Sequence, residues 1–171
     1  RFLSLGKLVR PGHALAWRGP MVKGALANLV DAEWGDAERL VVDLPPGTGD
    51  VQLSLIQRSR PAGAVIVATP QDLSLIDARR AVDLFNKTSV PVLGLIENMG
   101  GSLCPHCGEA SDPFGHGGAE HEATTLGVPF LGRVPLDIAL RLASDAGRPG
   151  EGAQAAVFDA IARAVGQTVG L

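Results

Sequence analysis

Apolar residues along this chain occur in two alternating patterns: short solid runs, and longer stretches in which they recur every three or four positions. Solid runs rich in Val, Ile and Leu are typical of strands buried on both faces of a sheet. They predict strands at Phe2–Leu5, Leu40–Asp43, Ala64–Ala68, Pro91–Ile96 and Pro129–Val134. The helical spacing predicts helices that begin near Pro20, Val51, Asp72, Ala119 and Asp137, with a last one along Val157–Val165. Because strands and helices alternate, we expect an α/β fold with a doubly wound, mostly parallel sheet and helices on both faces.

Length and charge narrow the class of protein. With 171 residues, 46% of them hydrophobic, we expect one domain over residues 1–171 with a substantial core. The net charge of −3 and the lack of a basic run argue against nucleic acid and against an anionic membrane surface as main partners. No apolar run could cross a bilayer, and Arg163 is the one positive charge in the stripe of the last predicted helix. With no secretory leader evident, we expect a cytoplasmic protein.

Polar residues follow four predicted strands, at the edge where open α/β sheets bind ligands. They are Asp43, Thr69-Pro70, Glu97-Asn98 and Pro135–Asp137. Asp43 could hold Mg²⁺ through water, or it could cap or brace the loop after it. Asn98 can donate and accept hydrogen bonds, which suits a purine edge, although a turn residue is the simpler interpretation from the residues alone.

The loop from Asp43 to Asp50 joins a predicted strand to a predicted helix. Pro45 and Pro46 forbid a helix in it, whereas its two glycines permit backbone angles closed to other residues. This combination suits a sensor of a metal–nucleotide complex. The alternative is a tight connection that ends in an N-cap, a role predicted for Asp50 here and for Asp72 at the next helix.

Two cysteines, Cys104 and Cys107, lie in an irregular segment at residues 99–118. Their C-x-x-C spacing lets two thiolates bind one metal ion or one edge of a cluster. Three interpretations stay open. A thioredoxin-like dithiol is disfavoured by the position in a long loop. A zinc site would add His116 and His121, and half of a Cys₄ site would be completed by a second copy of the chain.

The sequence contains no phosphate-binding loop of the form G-x-x-x-x-G-K-[ST]. Its other motifs nevertheless resemble the Mrp/ApbC family, P-loop ATPases that carry iron–sulfur clusters and are related to the MinD/ParA proteins. The resemblance lies in Trp17–Met21, Asp43–Leu53, Ala68–Asp72, Glu97–Met99 and Cys104–Gly108. It implies a deviant-Walker-A P-loop NTPase fold that is incomplete at its N-terminus.

This resemblance also implies roles for the candidate residues. Asp43 would contact the Mg²⁺ of bound ATP through water, and residues 44–50 would form the switch that senses the γ-phosphate. The catalytic candidates are therefore Asp43 and Asp50, and the nucleotide-binding candidates of the switch are Gly47, Thr48 and Gly49.

At the other strand ends, Asn98 would read adenine, and the loop with Pro135 and Asp137 would close over the base. Cys104 and Cys107 would bind an iron–sulfur cluster, expected to be 4Fe–4S and shared between the two subunits of a homodimer. The family would couple ATP to cluster transfer to apo-proteins.

One departure from the family pattern limits what the chain would do by itself. The P-loop of the family would precede Arg1, so we expect a C-terminal portion whose ATPase activity needs the full-length protein. A non-catalytic zinc-binding scaffold and a ParA/MinD-like partitioning ATPase are the alternatives on the same fold.

Overall fold

The computed structural model describes residues 2–4, 6, 19–149 and 155–170, and the chain forms two compact units, Arg1–Pro61 and Ala62–Leu171. The first unit holds helices α1 (Gly19–Val30) and α2 (Asp50–Ser59). The second unit holds, in chain order, β1 (Ala64–Ala68), α3 (Asp72–Lys87), β2 (Val92–Asn98), β3 (Ser102–Leu103), β4 (Ala110–Ser111), α4 (Gly118–Leu126), β5 (Phe130–Val134), α5 (Ile138–Asp145) and α6 (Ala155–Thr168). No helix in these described ranges is long and apolar enough to cross a membrane. The single domain expected over residues 1–171 stays a prediction.

Three parallel strands form the main sheet of the second unit, in the order β1-β2-β5. Ala68 pairs with Glu97, and Asn98 pairs with Val134, so the three strands end at the same edge of the sheet. The three solid apolar runs that predicted these strands are confirmed: the bounds of β1 are as predicted, and those of β2 and β5 differ by at most two residues.

Helices cover both faces of this sheet. Ile66 and Leu95 are paired and buried on one face, where α3 and α4 pack against the strands and against each other. Side chains alternate along a strand, and Gly132 of β5 pairs with Ile96, the residue after Leu95, so Gly132 belongs to the other face. There α6 packs closely, because a Cβ atom at Gly132 would lie 3.0 Å from Ile161 Cγ1. The doubly covered, parallel α/β architecture expected from the sequence is therefore confirmed.

The predicted strand at Leu40–Asp43 is wrong for this structure. These residues have no regular secondary structure, and Val41 is 99% exposed. A strand needs neighbours to exchange backbone hydrogen bonds with, and the described residues of the first unit include no other strand. Residues 2–4 are not a strand either, and Leu5 lies outside the described residues, as do Trp17 and Arg18 of the family motif.

Two of the predicted N-caps are also wrong. Gly49 and Gln71 occupy the N-cap positions of α2 and α3, so Asp50 and Asp72 are the first helical residues. A carboxylate in the first turn still interacts favourably with the helix dipole. The predicted helix start at Asp137 is confirmed, because its Oδ1 accepts a hydrogen bond from Leu140 N at 2.7 Å.

Gly94 of β2 provides a test of how closely the strands approach. Its φ is +151°, and a Cβ atom there would lie 2.5 Å from the Pro129 carbonyl oxygen and 2.6 Å from Leu131 Cγ. We expect Gly94→Ala to lower the free energy of unfolding by about 2–4 kcal/mol, through backbone strain and overpacking. Chemical denaturation measures it.

The control for this prediction is Val67→Ala in the neighbouring strand. Val67 is 58% exposed, so its truncation should cost less than about 1 kcal/mol. Equal costs for the two variants would contradict the packing described at Gly94.

Candidate functional site

The carboxyl ends of β1, β2 and β5 bring three of the four predicted strand-end sites to one edge. Asn98 ends β2, and its Oδ1 accepts a hydrogen bond from Met99 N at 3.0 Å. Its amide nitrogen has no hydrogen-bond partner among the described residues, so it can still donate to a ligand. Met99 has a φ of +59°, in the left-handed region, where a non-glycine residue is strained. Asp43 lies in the other unit, and its place in the predicted crevice stays a prediction.

The loop after β5 is tied to the start of the cysteine segment. Gly100 N donates to Val134 O at 3.1 Å, and Leu136 N donates to Gly101 O at 2.8 Å. Asp137, predicted to close over a base, uses one carboxylate oxygen to cap α5. The candidate base-binding loop and the cysteine segment are therefore in direct backbone contact.

Cys104 and Cys107 lie in the turn of a small hairpin. Its arms are β3 and β4, which are antiparallel, and Cys104 N extends the pairing by donating to Glu109 O at 2.9 Å. Gly108 N then donates back to Cys104 O at 2.9 Å, and Gly108 has a φ of +73°. Glycine adopts that conformation without strain, which explains its place directly after the second cysteine.

The turn also prepares one sulfur as a ligand. Backbone N–H groups of Cys107 and His106, together with the Cys107 thiol, lower the pKa of the Cys104 thiol by hydrogen bonding to its sulfur. Both cysteines are free of disulfides, and Cys107 is exposed. Thiolates are the form that binds iron or zinc, so the donor set fits a thiophilic metal or cluster.

The structure does not assemble the predicted zinc site. Within the described parts of the chain, no group of three or more His, Cys, Asp and Glu side chains could hold a metal ion. His116 instead lies 3.4 Å from Asp112, measured from Nδ1 to Oδ1, and His121 lies in α4. The interpretation with His116 and His121 as ligands beside the cysteines is therefore wrong for this structure.

A buried ion pair lies beneath the cysteine segment. Glu97 is 0% exposed, and its Oε1 accepts from Arg133 Nε at 2.5 Å. Burial by itself raises the pKa of Glu97, but Arg133 and the N–H groups of Ala119 and Gly117 outweigh burial and hold the pKa below its usual range. Glu97 was predicted only as a strand-end residue, and Arg133 was not predicted at all. The signal that could have found them is one charged residue near the end of each of two apolar strands.

The first unit contains the predicted switch loop. Asp43 and Thr48 are exposed, and Gly47 has a φ of +98°. Gln52, which is 4% exposed, holds the loop by donating from Nε2 to Pro45 O at 2.7 Å. This role of Gln52 was not predicted, because a polar residue on a short helix gives no sign of burial.

Asp50, the second catalytic candidate, makes an ion pair within the first unit. Its Oδ2 lies 3.1 Å from Lys23 Nζ, and the Asp50 side chain is 72% exposed whereas that of Lys23 is 41% exposed. Exposed pairs of this kind contribute little to stability. Because its side chain is mostly exposed, the Asp50 carboxylate remains accessible to solvent.

Comparison with protein families finds a match over almost the whole chain. A ParA family model, described as a NUBPL iron-transfer P-loop NTPase, matches residues 1–167. The chain is 52% identical over 150 residues to an iron-sulfur cluster carrier protein of Deinococcus radiodurans, covering 87% of this chain and 42% of that protein. It is 49% identical over 148 residues to the Arabidopsis thaliana "Iron-sulfur protein required for NADH dehydrogenase, mitochondrial", covering 86% and 47%. The chain thus spans less than half the length of these two relatives.

Solved structures support the same fold. A nucleotide-binding protein of Archaeoglobus fulgidus in complex with ADP is 38% identical, with a TM-score of 0.67 over 77% of this chain and 54% of that one. The cell division ATPase MinD of Pyrococcus furiosus is 19% identical, with a TM-score of 0.62 over 85% of this chain and 58% of that one. The second likeness concerns the fold alone.

The hydrogen bonds to the Cys104 sulfur predict a pH dependence. Only the thiolate is alkylated, so a lowered pKa means that the reaction becomes fast at a lower pH. In a Cys107→Ser variant, we expect the midpoint of the alkylation rate of Cys104 with iodoacetamide to lie below the value of about 8.5 for a free cysteine.

Two further variants test the cause of that shift. His106→Pro removes one N–H donor and should raise the midpoint, whereas His106→Ala keeps the donor and should leave the midpoint unchanged. A midpoint at or above about 8.5 in the Cys107→Ser variant would contradict the geometry of the turn.

Proposed function

The chain belongs to the ParA family of NUBPL-type iron-transfer P-loop NTPases, and we propose that it is the cluster-binding and base-recognising part of an iron–sulfur cluster carrier. The observation that carries this proposal is the hairpin turn, which holds Cys104 and Cys107 close together, both free of disulfides and with Cys107 exposed. A C-x-x-C turn of this kind suits a ligand that must be received and released. The names of the relatives, cluster carrier and iron-sulfur protein, agree with a cargo of this chemistry.

The number of thiolates supports a homodimer. Each chain supplies two cysteines, whereas a 4Fe–4S cluster usually takes four thiolate ligands. The described residues offer no third His, Cys, Asp or Glu ligand beside the pair. Two copies related by a two-fold axis would complete a Cys₄ set, with Cys104 and Cys107 from each.

Nucleotide binding is the second part of the proposal. Asn98, with its amide nitrogen available, and the loop with Pro135 and Asp137 would contact the adenine of ATP. In the switch, Asp43 would hold Mg²⁺ through water, and the γ-phosphate would be sensed by Gly47, Thr48, Gly49 and Asp50. The ADP named for the Archaeoglobus fulgidus relative supports an adenine nucleotide. Hydrolysis requires phosphate contacts that this sequence does not contain, so the ATPase activity is proposed for the full-length protein.

The recipients proposed for the cluster are apo iron–sulfur proteins, as the name of the Dictyostelium discoideum relative, a cluster transfer protein, suggests. The same donor set is able to bind zinc, so the metal is part of the test below. The cytoplasmic location stays a prediction, because one relative carries "mitochondrial" in its name.

Anaerobic reconstitution of the full-length protein with iron and sulfide tests the cargo. We expect charge-transfer absorption in the visible spectrum and about two iron and two sulfide per chain, because one 4Fe–4S cluster would be shared by two chains. Cys104→Ser and Cys107→Ser should each abolish most of the bound iron. Metal analysis and size-exclusion chromatography measure the ratio and the dimer.

Matched histidine variants separate the cluster from zinc. His116→Ala and His121→Ala should leave the iron content unchanged. One tightly bound zinc per chain that is lost in either histidine variant would sink the carrier proposal.

Asn98 provides a test of base recognition in the full-length protein. We expect the unmodified protein to prefer ATP to GTP, and Asn98→Ala to reduce that preference about tenfold through loss of hydrogen bonds to the base. Competition against a fluorescent ATP analogue measures both affinities. Asn86→Ala, at an exposed position near the end of α3, is the control and should change neither. An unchanged preference in Asn98→Ala would exclude Asn98 as the base reader.

A further inference from the structure

The cysteine segment, residues 99–118, runs from the end of β2 to the start of α4. Its two ends therefore decide where the hairpin with Cys104 and Cys107 lies. Both ends contact the same buried ion pair, formed by Glu97 and Arg133.

At the returning end, the Glu97 carboxylate accepts backbone hydrogen bonds. Glu97 Oε2 accepts from Ala119 N at 2.9 Å, and Oε1 accepts from Gly117 N at 3.3 Å. Arg133 adds a bond from Nη2 to Glu120 Oε2 at 3.0 Å. The N–H groups at the start of α4, which have no partner within the helix, thus donate to a buried carboxylate. The helix dipole also favours a negative charge at this end of the helix.

At the departing end, Gly100 packs directly on the same pair. A Cβ atom on Gly100 would lie 2.5 Å from Arg133 Cγ and 2.7 Å from Glu97 Oε1. Gly100 is buried, and its N–H donates to the carbonyl of Val134, the residue after Arg133. Because this end has no room for a side chain, the position of the chain there depends on where the ion pair lies.

From these contacts we infer that Glu97 and Arg133 are positioning residues, which hold both ends of the cysteine segment so that the paired thiolates keep one fixed place relative to the sheet edge. The inference rests on the proposed cluster-carrier function. It assigns the pair a task beyond stability: when two hairpins must share one cluster, a hairpin free to swing would hold that cluster less firmly.

A second ion pair in the same unit provides the matched control. Glu122, which is also buried, accepts two bonds from Arg79, at 2.7 Å to Oε1 and 2.5 Å to Oε2. This pair joins α3 to α4 and makes no hydrogen bond to the hairpin among the described residues. Its loss should therefore lower stability without releasing the cysteine segment.

The test compares Arg133→Gln with Arg79→Gln in the full-length protein, at matched distance below each melting temperature. By hydrogen exchange and mass spectrometry, we expect exchange in residues 99–118 to accelerate about tenfold or more in Arg133→Gln only. After anaerobic cluster loading, removal of iron by a chelator should accelerate to a similar extent in the same variant only. Arg133→Lys, which restores the charge, should recover part of both effects.

A second variant covers the case in which Arg133→Gln does not fold. Gly100→Ala keeps both charges but forces a methyl group against Arg133, and it should accelerate exchange and chelation in the same way. The inference would be overturned if the Arg133 and Arg79 variants accelerated exchange in the segment equally, or if neither variant changed it. It would also be overturned if exchange in the segment rose while the rate of iron removal from the loaded protein stayed the same. If the unmodified protein takes up no cluster, the proposed function fails, and the exchange measurement still decides whether the pair positions the segment.

Discussion

The arrangement of the second unit depends on the neutralisation of one buried carboxylate. Glu97 has no access to water, so its charge must be balanced by Arg133 and its oxygens must accept hydrogen bonds. Its partners come from the end of β5 and the start of α4, while Glu97 itself belongs to the end of β2. Balancing the charge of the Glu97 carboxylate and satisfying its hydrogen bonds therefore brings together the elements that surround the candidate base loop and the cysteine segment.

The cysteine hairpin is held by bonds between residues close in sequence, in contrast to the long-range pair of Glu97 and Arg133. Within the turn, Gly108 permits the backbone conformation and the N–H groups of His106 and Cys107 stabilise the thiolate of Cys104. The turn could form in many settings, because its bonds join residues close in sequence. Its contact with the sheet edge comes from Gly100 and Gly101, whose backbone hydrogen bonds reach the last residue of β5 and the loop after it. A cluster at the thiolates and a base at that loop would thus contact two segments that are joined by backbone hydrogen bonds.

The switch loop is held by a local bond, but the residues before it lack long-range partners. Gln52 holds Pro45 through a local bond, so part of the loop is defined within the first unit. Leu40–Asp43 nevertheless remain without strand partners, and their apolar side chains stay exposed. Local sequence preference is too weak to make a strand when no neighbour completes its hydrogen bonds.

By itself, the sequence determined the alternation of strands and helices in the second unit, the strand ends that share one edge, and the cysteine turn. Each of these follows from short-range spacing, such as the solid run Ala64–Ala68 or the C-x-x-C motif. Only the tertiary structure decided that His116 and His121 stay apart from the cysteines, and that Glu97 and Arg133, 36 positions apart in sequence, meet beneath them. Such contacts depend on which faces of distant elements pack together, and a local pattern of residues does not determine that packing.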